Sequence, residues 1–450
     1  MRPAAASLEE PVPQIRPFRA LRYDPAIVGD LGAVIAPPYD VIGPDLRQRL
    51  LDRHPRNAVR LDLPAAEPTD ADVDDRYRRV ARTLAAWRTD GTLRKDPRPG
   101  VYVYEQAYRV PGTDLERTQR GFFARLRIEP FEPRGSVLPH ERTLSGPKED
   151  RYKLLRATGI NTSPVVGLYE DPTGRASSLL AAAAATTPLA DVTDDDGVRH
   201  RLWLVTDDEE DSTARSLAEI AGAGPVYIAD GHHRYETALR YRDERRMTRS
   251  CEEDPPFDYL LMLFLDAAAE LTVLPTHRVV RNLSDAAVTE LPVGLGRLFR
   301  VTGVDRDSLV ARFEAAGELH GGDGRFGLVT RGGAWQLEAR REAFVGLVAG
   351  GGAGVRALDV TLLAAALDEL LGIDVAAVAE GDRITYSKSA REAARVVDER
   401  ADGADAAFLL EPTPVSSILE VSREGDVMPQ KSTYFYPKAF TGLVLNPHEW

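Results

Sequence analysis

The residues with the most chemical character lie together at Asp230-Gly-His-His-Arg234, where the apolar run from Pro225 to Ala229 stops and a helical pattern begins. Gly231 can take backbone geometries closed to other residues, which frees the first amides of the following helix to point at a ligand. Those amides, the positive end of the helix dipole and Arg234 suit a phosphate or carboxylate, with His232 and His233 on the same junction. Asp230, at the end of the strand, is placed to hold magnesium or to orient a hydroxyl. The competing reading is a tight turn that merely exposes both histidines.

A second polar cluster is Leu138-Pro-His-Glu-Arg-Thr-Leu-Ser-Gly-Pro-Lys-Glu-Asp-Arg151. Here His140 and Glu141 are the acid/base candidates, and Lys148 and Arg151 could neutralise phosphate charge. A solvated loop followed by a helix start near Lys148 would also account for it. The third cluster is Lys431-Ser-Thr-Tyr-Phe-Tyr-Pro-Lys438. Its lysines and aromatic rings could clamp a nucleotide, or the rings could be core contacts of a terminal strand. Of the 57 basic residues only six are lysine; Lys148, Lys431 and Lys438 fall in these last two segments, and Lys153 lies two residues beyond the first. Where arginine serves elsewhere, a retained lysine points to a need for a compact charge, as at a phosphate.

Metal chemistry has less support. Neighbouring helix positions such as His232 and His233 point about 100° apart, although His232 and Glu236 have the i, i+4 spacing of a chelating pair. His277, beside Arg278 at the end of an apolar strand, reads as structural. There is no G-x-x-x-x-G-K-[ST] loop, no G-x-G-x-x-G after a strand and no G-x-S-x-G elbow, so phosphate handling would need another fold.

The elements that position these residues alternate between strand and helix, which predicts a mixed α/β, α+β architecture. Apolar residues at Val73, Tyr77, Val80, Leu84 and Trp87 mark a helix closed by Gly91, and Val101 to Val110 with Gln119 to Ile128 form a hairpin about Pro111-Gly-Thr-Asp114. Helices are expected from Arg151 to Ala157, Ser177 to Ala185, Leu358 to Leu371 and Ser389 to Arg400. Strands are expected at Leu202 to Thr206, Leu271 to Val280, Ala407 to Leu410 and Ile418 to Val421. Asp258 to Asp266 reads as a strand or a buried helix. Pro37 and Pro38 make Ala33 to Ile42 a rigid extended segment. Four units are expected: an N-terminal mixed α/β unit (1–130), a core with the Asp-Gly-His-His-Arg motif (131–297), a small βαββ unit (298–347) and a C-terminal α/β segment packing back on the core (355–450).

A chain of 450 residues with a formal net charge of -13 argues against a nucleic-acid surface spread over the whole molecule. The longest hydrophobic run, Tyr259 to Leu265, is too short to span a bilayer, so no membrane attachment is expected. A single cysteine, Cys251, rules out an internal disulfide framework and Cys-rich zinc modules, and the expected compartment is the cytoplasm.

Five segments in order, Ile35-Ala-Pro-Pro-Tyr-Asp-Val-Ile42, Leu138-Pro-His-Glu-Arg-Thr143, Ile228-Ala-Asp-Gly-His-His-Arg-Tyr-Glu-Thr237, Leu274-Pro-Thr-His-Arg278 and Met428-Pro-Gln-Lys-Ser-Thr-Tyr-Phe-Tyr-Pro-Lys438, resemble the hallmarks of the bacterial and archaeal domain-of-unknown-function family 1015. The Asp-Gly-His-His-Arg element is also similar, more distantly, to the Asp-Gly-His-x-Arg element of ParB-like proteins, a group that includes nucleotide-dependent kinases of free L-serine. That resemblance implies a ParB-like core with further α/β segments on both sides. It also implies phosphoryl transfer from ATP or ADP to a small hydroxylated metabolite, with magnesium. The kinases use a glutamate base and an essential motif aspartate. Asp230 therefore carries over, and Glu141 is the candidate base by its chemistry and its place in a motif. In this expectation Gly231, His232, His233 and Arg234 hold the phosphates, and Lys148, Arg151, Lys431 and Lys438 offset their charge. Two other readings stand beside it: a ParB-like nucleotide switch or DNA-associated module without metabolite chemistry, and a metal-dependent hydrolase using His140, His232 and Glu236.

Overall fold

The computed structural model describes residues 12–133, 135–141, 145–208, 211–248, 253–315, 321–348 and 350–450; Arg142, Thr143 and Cys251 lie outside them. The architecture is mixed α+β, built on two main sheets. The larger has nine strands. Val137–Leu138 lies at one edge, followed by Val226–Asp230, Val165–Tyr169, Tyr259–Asp266, Glu116–Arg127, Val101–Arg109, Arg199–Val205 and Ala190–Thr193, with Ile15–Arg16 pairing on Glu116–Arg127. It thus draws strands from both sides of residue 130. The second sheet runs Phe299–Gly303, Gly333–Ala339, Arg325–Thr330, Ala404–Leu410, His277–Arg281, Ile384–Ser387, antiparallel at every step.

Local chemistry explains most of these elements. Tyr259–Asp266 is a strand buried at every position, between Val165–Tyr169 and Glu116–Arg127. A central strand covered on both faces loses the polar alternation that would separate it from a buried helix, hence the ambiguity of its apolar run. The hairpin forms as expected about Gly112, whose φ of 77° suits its turn. The helix expected through Val73 and Trp87 is Asp75–Thr89, burying Tyr77, Val80, Leu84 and Trp87, while Val73 lies ahead of it and is exposed.

Four expectations are corrected. Ile418 to Val421 is not a strand but part of the helix Val415–Arg423, in which Ile418, Leu419, Val421 and Ser422 are buried, a helical stripe that a four-residue window cannot display. The segment from Leu271 to Val280 is two strands. Thr272–Val273 pairs with Phe435–Tyr436, whereas His277–Arg281 joins the second sheet, and Pro275 between them has no amide to continue a ladder. The Ala33 to Ile42 segment is extended only about its prolines, flanked by the helical turn Leu31–Val34 and the 3₁₀ turn Tyr39–Val41. The helix expected from Arg151 begins at Ser145, because Pro147 in a first turn lacks only an amide that has no intrahelical partner there. Among the described residues no helix is long and apolar enough to cross a membrane.

Candidate active site

The three polar clusters meet where the larger sheet's edge faces the second sheet, and the C-terminal segment joins them. Val226–Asp230 delivers Asp230, and the helix His232–Thr248 starts two residues later. Gly231 makes the turn with φ 89°; a β-carbon there would lie 2.9 Å from Nε of Arg234. That closeness lets Arg234 fold back, so that its guanidinium donates to Asp230 Oδ2 at 2.5 Å and to the carbonyl of Pro164. Lys438, from the far end of the chain, donates to Asp230 Oδ1 at 2.5 Å. Burial alone would raise the Asp230 carboxyl, but Lys438 and Arg234 outweigh it and hold its pKa well below the usual carboxylate range. Burial opposes the charge of Lys438 too, yet Asp230 and Asp40 raise its pKa.

The second carboxylate, Glu141, lies beside residues 428–431. Its own strand bridge to Met428, and the bond from the Met428 amide to the His140 carbonyl at 2.7 Å, register the two segments. Glu141 Oε1 accepts the amide of Lys431 at 3.0 Å. Lys431 holds a left-handed φ of 57°, while its carbonyl accepts from Arg278 at 3.1 Å. A non-glycine residue in that region is uncommon, and here a hydrogen bond at each end of Lys431 holds it. Burial raises the Glu141 carboxyl; the Lys431 amide and the charges of Lys431 and Lys438 only partly counter it.

His140 is wholly buried. Its Nδ1 lies 2.6 Å from the Ile228 carbonyl and its Nε2 2.9 Å from Thr433 Oγ1. A carbonyl only accepts, so Nδ1 carries the proton and Nε2 accepts from threonine. Burial lowers its pKa to about 4. This neutral ring, hydrogen-bonded at both nitrogens, ties the motif strand to the C-terminal segment. His232 Nε2 accepts the His140 amide at 3.3 Å, and the two rings stand edge to face at 4.7 Å. Glu236 pairs with Lys148. The donors of the hydrolase reading are thus spent on other partners, and among the described residues no group of three His, Cys, Asp or Glu side chains is arranged to hold a metal. Asp230 fits a resident metal poorly as well, since a cation already sits on each of its oxygens.

Arg151 shares its neighbours Tyr39 and Asp62 with Arg234. It is buried against the Asp62 carbonyl at 2.5 Å and the Asp150 carboxylate, with its guanidinium 4.2 Å from the Tyr39 ring centroid. It is thus a buried, paired cation. Lys148 lies at the rim, where its charge and that of Glu236 act on His233.

Several residues of the site escaped the sequence reading. Asp40 is exposed and close enough for its charge to act on Arg234, Lys438 and His233. Lys388 follows the strand Ile384–Ser387, bonds Thr276 Oγ1 at 2.8 Å and lies 4.4 Å from the centroid of the Tyr434 ring, with Lys438 4.2 Å from the same ring. Burial first, then Arg278, Lys431 and Lys438, lower its pKa to about 7. The scarcity of lysine was the signal that could have found it. Around the pair of carboxylates the side chains of Arg234, Lys438, Lys431, Lys388 and Arg278 leave positive charge in excess.

The chain belongs to the family described as protein of unknown function (DUF1015), which it matches over residues 15–361. No curated protein matches it. Among solved structures it is similar to a conserved hypothetical protein from Pyrococcus furiosus (13% identity, 67% of this chain and 87% of that one, TM-score 0.32). It is also similar to a free serine kinase, solved as a point variant in complex with ADP (15% identity, 67% and 84%, TM-score 0.33). A third similar structure is C-terminally truncated SbnI from Staphylococcus aureus (10% identity, 69% and 83%, TM-score 0.34). Overlaps of this quality leave the site to be read from its own geometry.

Proposed function

We propose that the protein is a nucleotide-dependent kinase of a small hydroxylated metabolite, with free L-serine first among the acceptors and ATP as donor. One juxtaposition carries the reading: a carboxylate of raised proton affinity, Glu141, and an ionised one, Asp230, lie in one cluster of excess positive charge. Glu141 takes the acceptor's hydroxyl proton as the oxygen attacks the terminal phosphorus, and the bond to the departing diphosphate breaks. Arg234, Lys438 and Lys431, with the first amides of the helix from His232, meet the phosphate charge. Asp230 keeps Lys438 and Arg234 in place and orients the hydroxyl. His140 holds the C-terminal segment in register, so most of the rate comes from positioning and charge. The donor enters as its magnesium complex, and the metal belongs to the substrate.

The test is to incubate the protein with magnesium ATP and a panel of free hydroxylated metabolites led by L-serine, following ADP and phosphorylated product by mass spectrometry. The expected outcome is phosphoserine that disappears in Asp230→Ala. Nucleotide hydrolysis with no phosphorylated acceptor would overturn the reading.

A further inference from the structure

Beside Arg278 lies a chamber of about 440 Å³, the size of an ordinary small-molecule site. Its floor is the second sheet at Ile384 and Tyr386. Its walls are Val360 and Leu367, from the helix Asp359–Leu371, then Ile373 and Val378. Aliphatic side chains that would ordinarily seal a helix onto a sheet leave a void here, which forfeits packing unless something fills it.

Charge is divided along this chamber. At the inner end Arg278 is 6% exposed; it donates to the carbonyls of Thr276 and Lys431, and its guanidinium lies 5.5 Å from the Tyr386 ring centroid. Both of these hydrogen bonds go to neutral acceptors, and among the described residues no carboxylate lies within ion-pair distance of it. The Glu141 charge acts on it from a distance, but a buried cation whose direct partners are carbonyls and a ring keeps the capacity to take an anion. Toward solvent stand Asp368 and Asp374, both exposed, with Asp374 capping the helix Val375–Glu380, and the half-buried Asp426, which accepts the Gly352 amide.

We infer that this chamber binds a small amphiphile with a single carboxylate, seated on Arg278, whose aliphatic or aryl body fills the apolar walls and whose outer end carries no negative charge. The binding requires no nucleotide, so it stands apart from the phosphotransfer reading. Arg278 bonds the carbonyl of Lys431 and the Lys431 amide bonds Glu141, so the occupant's carboxylate would sit one residue away from that side chain.

Titration calorimetry on the full chain with acetate, octanoate, phenylbutyrate, octanol and octylamine tests the inference. Octanoate and phenylbutyrate are expected to bind one per chain, roughly tenfold or more tighter than acetate, octanol or octylamine. Arg278→Met should weaken octanoate by roughly tenfold or more, and Val378→Trp, which fills the chamber and keeps the cation, should abolish it. Octylamine or octanol binding as tightly as octanoate, acetate matching octanoate, or an unchanged Arg278→Met titration would each overturn the inference. If Arg278→Met does not fold, the ranking on the unaltered chain and the Val378→Trp result decide. Octanoate binding without any phosphorylated product would leave the chamber standing and remove the kinase, and the reverse pattern would do the opposite.

Discussion

Glu141 and Asp230 are carboxylates of one cluster in opposite surroundings. Asp230 has a cation on each oxygen and stays ionised despite burial. Glu141 has a backbone amide, and burial raises its affinity for a proton. Two titratable groups driven apart by their environments divide labour: one is a fixed charge, the other can exchange a proton. The difference arises from which part of the C-terminal segment each one meets. Lys438 offers Asp230 its ammonium group, whereas Lys431 offers Glu141 its main chain.

The contrast is broken most directly by Glu141→Gln. Phosphotransfer is expected to fall by about 10²–10⁴-fold with the fold intact, because a proton acceptor is lost and the amide bond to Lys431 is kept; a fully active Gln variant would remove Glu141 as base. Asp230→Asn should act on stability as well as on phosphotransfer. It strands Lys438 and Arg234 in a buried place and should cost about 3–5 kcal/mol in urea unfolding, part of it recovered by adding Lys438→Met. No loss would mean that the two ion pairs do not hold this junction together.

A smaller effect sharpens the role given to His140. The unfolded ring takes a proton near 6.5 and the buried one only at about 4. Between these values the unfolded state binds more protons, so stability is full above about 6.5 and falls as the pH drops toward 4, by about 3 kcal/mol at most. His140→Gln should flatten part of that dependence in urea midpoints measured across the window. The smallest effect concerns Lys388, whose pKa of about 7 makes it a cation only on the acid side. Nucleotide affinity should weaken by roughly threefold to tenfold as the pH rises through 7, and Lys388→Met should bind with no such step in fluorescence titrations.

The junction at Asp230 was legible because strand, glycine and helix are adjacent in sequence and their geometry is local. The meeting of Glu141 with Lys431, and of Asp230 with Lys438, was not, since each joins residues hundreds of positions apart through backbone registry that no periodicity encodes. The partners of Arg151 and His140 were hidden for a related reason. Polar side chains crowded in an irregular segment look catalytic until their partners, Asp62 and Ile228, are seen to come from elsewhere. In the fold, Tyr259–Asp266 and Val415–Arg423 show the other limit: burial on both faces, or a window shorter than two turns, removes the period that distinguishes strand from helix.

The segment from Met428 to Lys438 has a consequence for synthesis. Residues 12–410 contain every strand of both main sheets, so a ribosome-bound chain could already assemble them while Asp230 has no lysine and Glu141 no amide. A message truncated just short of codon 438 would leave the site unfinished, and would also remove Leu443, Val444 and Leu445 from the core and the Asn446, Pro447 and Glu449 partners of the buried Arg125. Activity would then report that translation had run past that point, a check on completeness built into where the last cation sits.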